Sequence, residues 1–169
     1  MTADALALAS RRAFLKGCRP APVLPRPPGA VAPGEFESRC TRCGDCLRAC
    51  PDGLLAAGEA GFPVYEATRG ECSFCGDCSR ACGTGALLPE RIADWPWRAQ
   101  VGATCLSAAG VVCLACRDAC APAAIRFPPG AGLGAPAIDT GRCTGCGACV
   151  AACPAAALSL HQPAAGAAP

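Results

Sequence analysis

Large apolar residues, namely Leu, Ile, Val and Phe, are few in this chain, and some of them recur at regular places. One stands five positions after the last cysteine of each of four cysteine-rich segments; these are Leu55, Leu87, Ile125 and Leu158. The stretch from that cysteine to the apolar residue predicts one helical turn that covers whatever the cysteines bind. The stretches 61–66 and 136–139 have the pattern of short hairpin strands. The sequence therefore predicts a small α+β fold built as an internal repeat.

The cysteines have a spacing typical of iron–sulfur proteins. The chain contains 17 of them in 169 residues, and three segments read C-x2-C-x2-C-x3-C, the thiolate pattern that holds 4Fe-4S clusters. A proline follows the last cysteine in the first and last segments (Pro51, Pro154), whereas Gly83 takes that place in the second. The ligands predicted in modules one, two and four are Cys40, Cys43, Cys46, Cys50, Cys72, Cys75, Cys78, Cys82, Cys143, Cys146, Cys149 and Cys153.

Disulfides and zinc are the alternatives to iron–sulfur clusters. Thiols two residues apart make poor disulfide partners but good joint ligands. Structural zinc sites usually combine two separated C-x2-C pairs rather than a run of three thiols with a fourth. Only about 29 residues are Leu, Ile, Val or Phe, too few for an ordinary core. Bound clusters are therefore expected to organise the fold, and the apo-protein is expected to be largely unfolded.

The third module is irregular. Cys113, Cys116 and Cys120 keep the spacing, but Gly110 stands where the first ligand is expected, and Cys105 lies five residues earlier. The loop between them can fold Cys105 back onto the site because a short insertion adds little loop entropy. The three regular modules predict three clusters. The third predicts a fourth cluster, with a purely structural thiol group as the alternative.

Ligation can cross between modules or close within each module. In two-cluster ferredoxins the fourth cysteine binds the partner's cluster. Crossing assigns Cys82 to the first module's site, Cys50 to the second's, Cys120 to the fourth's and Cys153 to the third's. Closure within each module uses the same ligands, and the sequence leaves both arrangements open.

The N-terminal region is expected to remain in the cytoplasm. The segment 10–16 resembles a twin-arginine export signal, but the prolines and arginines of residues 17–34 replace the apolar run of about 7–15 residues that a cleaved signal needs. Cys18 stands alone and is excluded from the sites. The predicted organisation is an N-terminal segment with Pro-rich linker (1–35), a first ferredoxin-like lobe (36–88), a linker (89–104), a second lobe (105–160) and a disordered tail (161–169).

Catalysis by the chain itself is not expected. The single histidine, His161, has no nucleophile or base beside it in the sequence, and no phosphate-binding Gly-rich loop is present. Trp95 and Trp97 are predicted to pack between the lobes. The net charge of +2 becomes negative once anionic clusters bind, so nucleic-acid binding is not indicated. No apolar run approaches the length of a membrane span.

The modules resemble bacterial-type ferredoxins, and their order resembles the NapF family of ferredoxin-type proteins. The resemblance rests on Ser10-Arg11-Arg12, on residues 71–75, on the irregular third module with residues 124–127, and on the regular last module. It implies tandem ferredoxin-like lobes of short hairpins and short helices. It also implies a cytoplasmic accessory protein that acts on the catalytic subunit of the periplasmic nitrate reductase before export, in cluster assembly or reduction. The alternative is an electron-transfer subunit between a reductant and a redox enzyme.

Overall fold

The computed structural model describes residues 24–127 and 134–162. The twin-arginine-like segment, Cys18 and the end of the predicted tail lie outside these residues. Within them the α-helices are α1 Pro33–Arg39, α2 Asp45–Ala49, α3 Asp77–Arg80, α4 Ala115–Asp118 and α5 Ala148–Ala151. The strands are β1 Leu55–Ala57, β2 Pro63–Tyr65, β3 Arg98–Val101, β4 Ile125–Arg126, β5 Ala137–Ile138 and β6 Leu158–His161. Single 3-10 turns occupy Glu59–Gly61 and Ala67–Arg69, and a longer one Pro89–Asp94.

The strands pair as three antiparallel ladders. Strand β1 pairs with β2, with Leu55 opposite Tyr65, and β4 pairs with β5, with Ile125 opposite Ile138. The two strands predicted in 61–66 and 136–139 are therefore confirmed. Together with the short helices, these hairpins confirm the predicted α+β fold.

The third ladder crosses the predicted domain boundaries. Strand β3 lies in the segment predicted as a linker, and it pairs with β6, with Arg98 opposite His161 and Val101 opposite Leu158. An isolated strand leaves its backbone groups without partners, and the C-terminal strand supplies them here. His161 is thus part of the second lobe rather than of a tail.

The short helices lie before the last cysteine of each module, and the predicted helical turn after that cysteine is wrong. Helix α2 ends at the residue before Cys50, and Leu55 then begins β1. The third residue after each last cysteine has a left-handed φ, which ends the helical path and reverses the chain. These residues are Gly53 (φ 62°), Gly85 (71°), Ala123 (51°) and Ala156 (46°).

Two small cores are present, and thiols are part of both. The first includes Phe36, which is fully buried, with Leu54, Leu87 and the Cys46 thiol. The second surrounds Ile125, Leu158 and the Cys116 and Cys149 thiols. The backbone of residues 25–31 also joins the first lobe: the Tyr65 N–H donates to the Pro25 carbonyl at 2.7 Å, and the Val31 N–H donates to the Ala86 carbonyl at 3.1 Å.

The two lobes pack together through the segment that contains Trp95 and Trp97. Both side chains are buried, with 7% and 5% of their surface exposed. The Trp95 Nε1–H donates to the Gly145 carbonyl of the second lobe at 3.2 Å, so the predicted packing role is confirmed. In the part of the chain described, no helix is long and apolar enough to cross a membrane.

Candidate metal centres

Among the described residues, four cavities are each lined by four cysteines. Cavity A is lined by Cys40, Cys43, Cys46 and Cys82. Cavity B is lined by Cys72, Cys75, Cys78 and Cys50. Cavity C is lined by Cys143, Cys146, Cys149 and Cys120. Cavity D is lined by Cys105, Cys113, Cys116 and Cys153.

The grouping is crossed within each lobe. Three thiols of a cavity come from one module, and the fourth comes from the end of the partner module. The geometry thus brings together the sets that the crossed alternative describes, and it places each module's last thiol in the partner's cavity.

Cys105 takes the place of the missing first cysteine in the third module. Its side chain is buried, and it lines cavity D. A tight turn follows it, in which the Ala109 N–H donates to the Cys105 carbonyl and the Gly110 N–H donates to the Ser107 carbonyl, both at 3.1 Å. Gly110 is exposed at the end of this turn. The loop therefore turns the chain back so that Cys105, and not position 110, faces the site.

The four repeated apolar residues cover the cavities as predicted. Leu55, Ile125 and Leu158 do so from strands, and Leu87 does so from an isolated β-bridge with Ala30. Each lines the cavity that receives the last cysteine of its own module: Leu87 cavity A, Leu55 cavity B, Ile125 cavity C and Leu158 cavity D. All four are at least 93% buried. Each cavity thus has an apolar wall on one side.

Backbone amides donate to the sulfurs of the last cysteines. The fourth residue after the cysteine provides the N–H group: Leu54 to Cys50 at 3.4 Å, Ala124 to Cys120 at 3.3 Å and Ala157 to Cys153 at 3.2 Å. The left-handed residue just before each donor turns its N–H toward the sulfur. Hydrogen bonds to ligand sulfurs stabilise negative charge on a cluster and tune its potential. In the sequence, a glycine or alanine at the third position after each last cysteine marks these donors. The donors were not predicted from the sequence.

Burial decides the protonation of several thiols. Burial raises the pKa of Cys46 and of Cys72 to about 11. Burial and the nearby Cys143 and Cys146 thiols raise the pKa of Cys149 to about 12. Burial alone would raise the pKa of Cys82, but hydrogen bonds from the Thr84 hydroxyl and backbone amides outweigh it and lower that pKa. Most of these thiols are protonated at neutral pH without metal, so binding a cluster must release protons.

Tyr65 was not singled out from the sequence, yet it lies between the two lobes. Its hydroxyl donates to the Cys146 carbonyl at 2.6 Å. Burial, followed by the neighbouring Cys72 and Cys146 thiols, raises the pKa of Tyr65 above its usual range. The hydroxyl therefore stays protonated and remains a donor.

The residues around each cavity fit a 4Fe-4S cluster. Four thiols, amide donors to sulfur and an apolar wall are the environment that such clusters use. When bound, a cluster of this kind supplies one-electron redox chemistry. Within the described ranges, no three His, Cys, Asp or Glu side chains converge closely enough to bind a single metal ion.

Two iron–sulfur family models match the chain. Residues 39–86 match the 4Fe-4S dicluster domain, which spans cavities A and B. Residues 136–159 match the 4Fe-4S binding domain, which spans the fourth module. The third module lies between these two matches.

Curated relatives match most of the chain. The ferredoxin-type protein NapF of Haemophilus influenzae is 42% identical over 138 residues, covering 81% of this chain and 78% of the relative. The ferredoxin-type protein NapF of Escherichia coli K12 is 38% identical over 155 residues, covering 90% and 94%. The methylamine utilization ferredoxin-type protein MauM of Methylorubrum extorquens is 35% identical over 147 residues, covering 76% and 67%.

Proposed function

The chain belongs to the NapF family of ferredoxin-type proteins, and on this basis we propose that it is a cytoplasmic iron–sulfur protein that helps mature the catalytic subunit of the periplasmic nitrate reductase before export. The observation that carries its chemistry is the set of four cavities, each lined by four thiols. Its task on the partner is to assist the assembly or reduction of that subunit's own iron–sulfur cluster.

Each cavity holds one 4Fe-4S cluster in this proposal, and the ligands are the crossed sets. The first lobe binds two clusters through Cys40, Cys43, Cys46 and Cys82, and through Cys72, Cys75, Cys78 and Cys50. The second lobe binds two through Cys143, Cys146, Cys149 and Cys120, and through Cys105, Cys113, Cys116 and Cys153. The similar thiol, amide and apolar surroundings of the cavities support four clusters rather than three.

The proposal makes the chain an accessory protein rather than an enzyme. His161 lies at the end of a strand opposite Arg98, and the chemistry of the cavities is that of thiolate ligands. The prolines and arginines of residues 17–34 favour retention in the cytoplasm over export.

The first test is the composition of protein purified anaerobically from the cytosolic fraction. About sixteen iron atoms and as many acid-labile sulfides per chain are expected for four cubane clusters. Zinc in place of iron would refute the metal assignment. Recovery of the protein from the periplasm would refute the cytoplasmic location.

The second test separates maturation from plain electron transfer. Nitrate reductase is made with and without this protein, and the cluster content of its catalytic subunit and its turnover with an artificial donor are measured. A maturation factor is needed while the enzyme is made, so enzyme made without it is deficient and stays deficient when the protein is added afterwards. Full cluster content and full turnover in enzyme made without the protein would instead favour the electron-transfer alternative, because the artificial donor replaces an electron-transfer subunit.

A further inference from the structure

The two lobes meet where a ligand loop of one lies against a ligand loop of the other. The Cys72 N–H, in the first lobe, donates to the Cys146 carbonyl, in the second, at 2.8 Å. The Cys72 side chain lines cavity B, and the Cys146 side chain lines cavity C. One hydrogen bond therefore joins two residues whose side chains face different metal sites.

Two buried side chains hold this hydrogen bond in place. The Tyr65 hydroxyl donates to the same Cys146 carbonyl at 2.6 Å, and the Trp95 Nε1–H donates to the neighbouring Gly145 carbonyl at 3.2 Å. The two rings pack edge to face, with centroids 5.7 Å apart. Two donors thus fix consecutive carbonyls of the second lobe against the first.

Glycines in the second lobe allow this close approach. A Cβ atom on Gly145 would lie 2.1 Å from the Trp97 carbonyl oxygen, and a Cβ on Gly147 would lie 2.4 Å from the Tyr65 hydroxyl. Neither site has room for a side chain. The loop Cys143–Gly147 is therefore fitted to this particular contact, and not merely adjacent to it.

We propose that the hydrogen bond between Cys72 and Cys146 is the electron route between the lobes, and that Tyr65 and Trp95 are positioning residues that hold it. This inference rests on the proposed cluster binding. The route runs from the Cys72 sulfur through its side chain and amide, across the hydrogen bond, and through the Cys146 carbonyl and side chain to its sulfur. Tunnelling decays less along bonds than across a gap, so this contact favours transfer.

The step is a one-electron exchange. A cluster bound by the four cysteines of cavity B would exchange one electron with a cluster bound by the four cysteines of cavity C, and no bond would form and no proton would move. The electron enters from a low-potential one-electron reductant, for which dithionite is the probe. The four sites then act as one connected set, with cavities A and D at its two ends.

The test isolates the two sites at the junction. In the full-length chain, Cys43→Ala and Cys113→Ala remove one ligand each from cavities A and D. The dithionite-reduced protein is then examined by EPR, and spin–spin splitting between the two remaining clusters is expected. Adding Tyr65→Phe and Trp95→Phe should weaken the exchange part of the splitting, which depends on the bonded contact, while the through-space dipolar part and the iron content stay the same.

A matched control removes a similar bond elsewhere. The Thr104 hydroxyl donates to the Ala155 carbonyl at 3.2 Å within the second lobe, so Thr104→Val should leave the splitting intact. An exchange splitting of unchanged size in the doubly substituted protein would overturn the inference, although iron content would still support cluster binding. Absence of iron would instead overturn the proposed function.

A second measurement covers the case in which the background variant loses its clusters. Hydrogen–deuterium exchange of the otherwise unaltered loaded protein follows the peptide that contains Cys72. The junction requires slow exchange of that amide, with faster exchange in Tyr65→Phe and no change in Thr104→Val. Fast exchange in the unsubstituted protein would overturn the inference.

Discussion

Replacing Gly145 with alanine tests the contact between the lobes most directly. Gly145 has a left-handed φ of 75°, and the new Cβ would lie 2.1 Å from the Trp97 carbonyl oxygen and 2.6 Å from the Trp95 Nε1. The Trp97 oxygen is a backbone atom, so it cannot move aside as a flexible side chain can. The lobes must therefore separate or the loop must distort.

Comparison of the repeated modules distinguishes the effect of backbone strain at Gly145 from the effect of the steric clash. The equivalent positions of the first two modules are Arg42 and Phe74, with φ of 62° and 54°. Side chains at these places show that the fold tolerates the left-handed conformation, which costs about 1–2 kcal/mol. Gly145 is therefore required by the close approach of the tryptophans and not by its φ alone.

Two control substitutions give the expected loss of stability in Gly145→Ala. Gly53 has φ of 62° and open space around it, so Gly53→Ala should show the strain alone, about 1 kcal/mol after the gain from a stiffer unfolded chain. Gly83 has open space and no left-handed φ, so Gly83→Ala should be close to neutral. Gly145→Ala adds overpacking of about 1–3 kcal/mol, or about 2–12 °C in the midpoint.

The assay is loss of visible cluster absorbance on heating under anaerobic conditions, at one heating rate for all variants. The expected order of midpoints is Gly83→Ala above Gly53→Ala above Gly145→Ala. Equal midpoints for the last two would refute the close approach, because strain alone would then account for both. An unchanged midpoint in all three would show that cluster loss does not depend on these loops.

Further predictions concern the sites and the core. Cys105→Ala should lower the iron content from about sixteen to about twelve atoms per chain, while Cys18→Ala, at the thiol excluded by spacing, leaves it unchanged; equal iron in both would refute cavity D. Adding Gly110→Cys to Cys105→Ala should not restore the lost iron, because position 110 is exposed at the end of a turn; full restoration would show that the loop can rearrange. Phe36→Ala empties a fully buried position and should destabilise the first lobe by about 3–5 kcal/mol, measured by heat-induced bleaching, whereas Leu24→Ala at a half-exposed position should change little. Removing iron with a chelator under anaerobic, reducing conditions should abolish most far-ultraviolet circular dichroism, because thiols form part of both cores; a retained native spectrum would show that the polypeptide folds by itself.

The sequence predicted the fold where the pattern was local. The apolar residue five positions after the last cysteine recurs in each module, so it predicts the covering residues Leu55 and Leu158. The local pattern of 61–66 and 136–139 predicts the hairpin strands. The ladder between β3 and β6 has no such signal, since Arg98 and His161 are distant in sequence and neither strand exceeds four residues. Pairing of this kind depends on tertiary contacts more than on propensity.

The misplaced helical turn has a specific cause. Alanine favours helix, so the run that follows Cys153 is naturally interpreted as a helical turn. In the structure Ala156 has φ of 46° and Ala123 has φ of 51°, a conformation that alanine rarely adopts. Comparison with Gly53 and Gly85 at the same place in the other modules shows that a small residue is used there, and this comparison predicts a reversal rather than a helix.

The cysteine pattern does not predict the interface between the lobes. One difference between the modules, the residue before the second cysteine, does indicate it. Two modules place Arg42 and Phe74 between the first two ligands, and the fourth places Gly145 there. The first two modules carry a side chain at this position, so its absence in the fourth module indicates that another part of the chain packs closely against Gly145. Trp95 and the Trp97 carbonyl, both outside the modules, are the groups that occupy that space.

The third module shows that a ligand can come from a different position along the chain. Its first thiol is displaced along the chain, yet Cys105 lines the same cavity as Cys113 and Cys116. What the fold preserves is therefore the set of four sulfurs around each cavity, while the backbone route that delivers them varies. Regular cysteine spacing predicts a set of four thiols around a cavity. The third module lacks that spacing but keeps the four thiols, because a tight turn brings the buried Cys105 to the cavity.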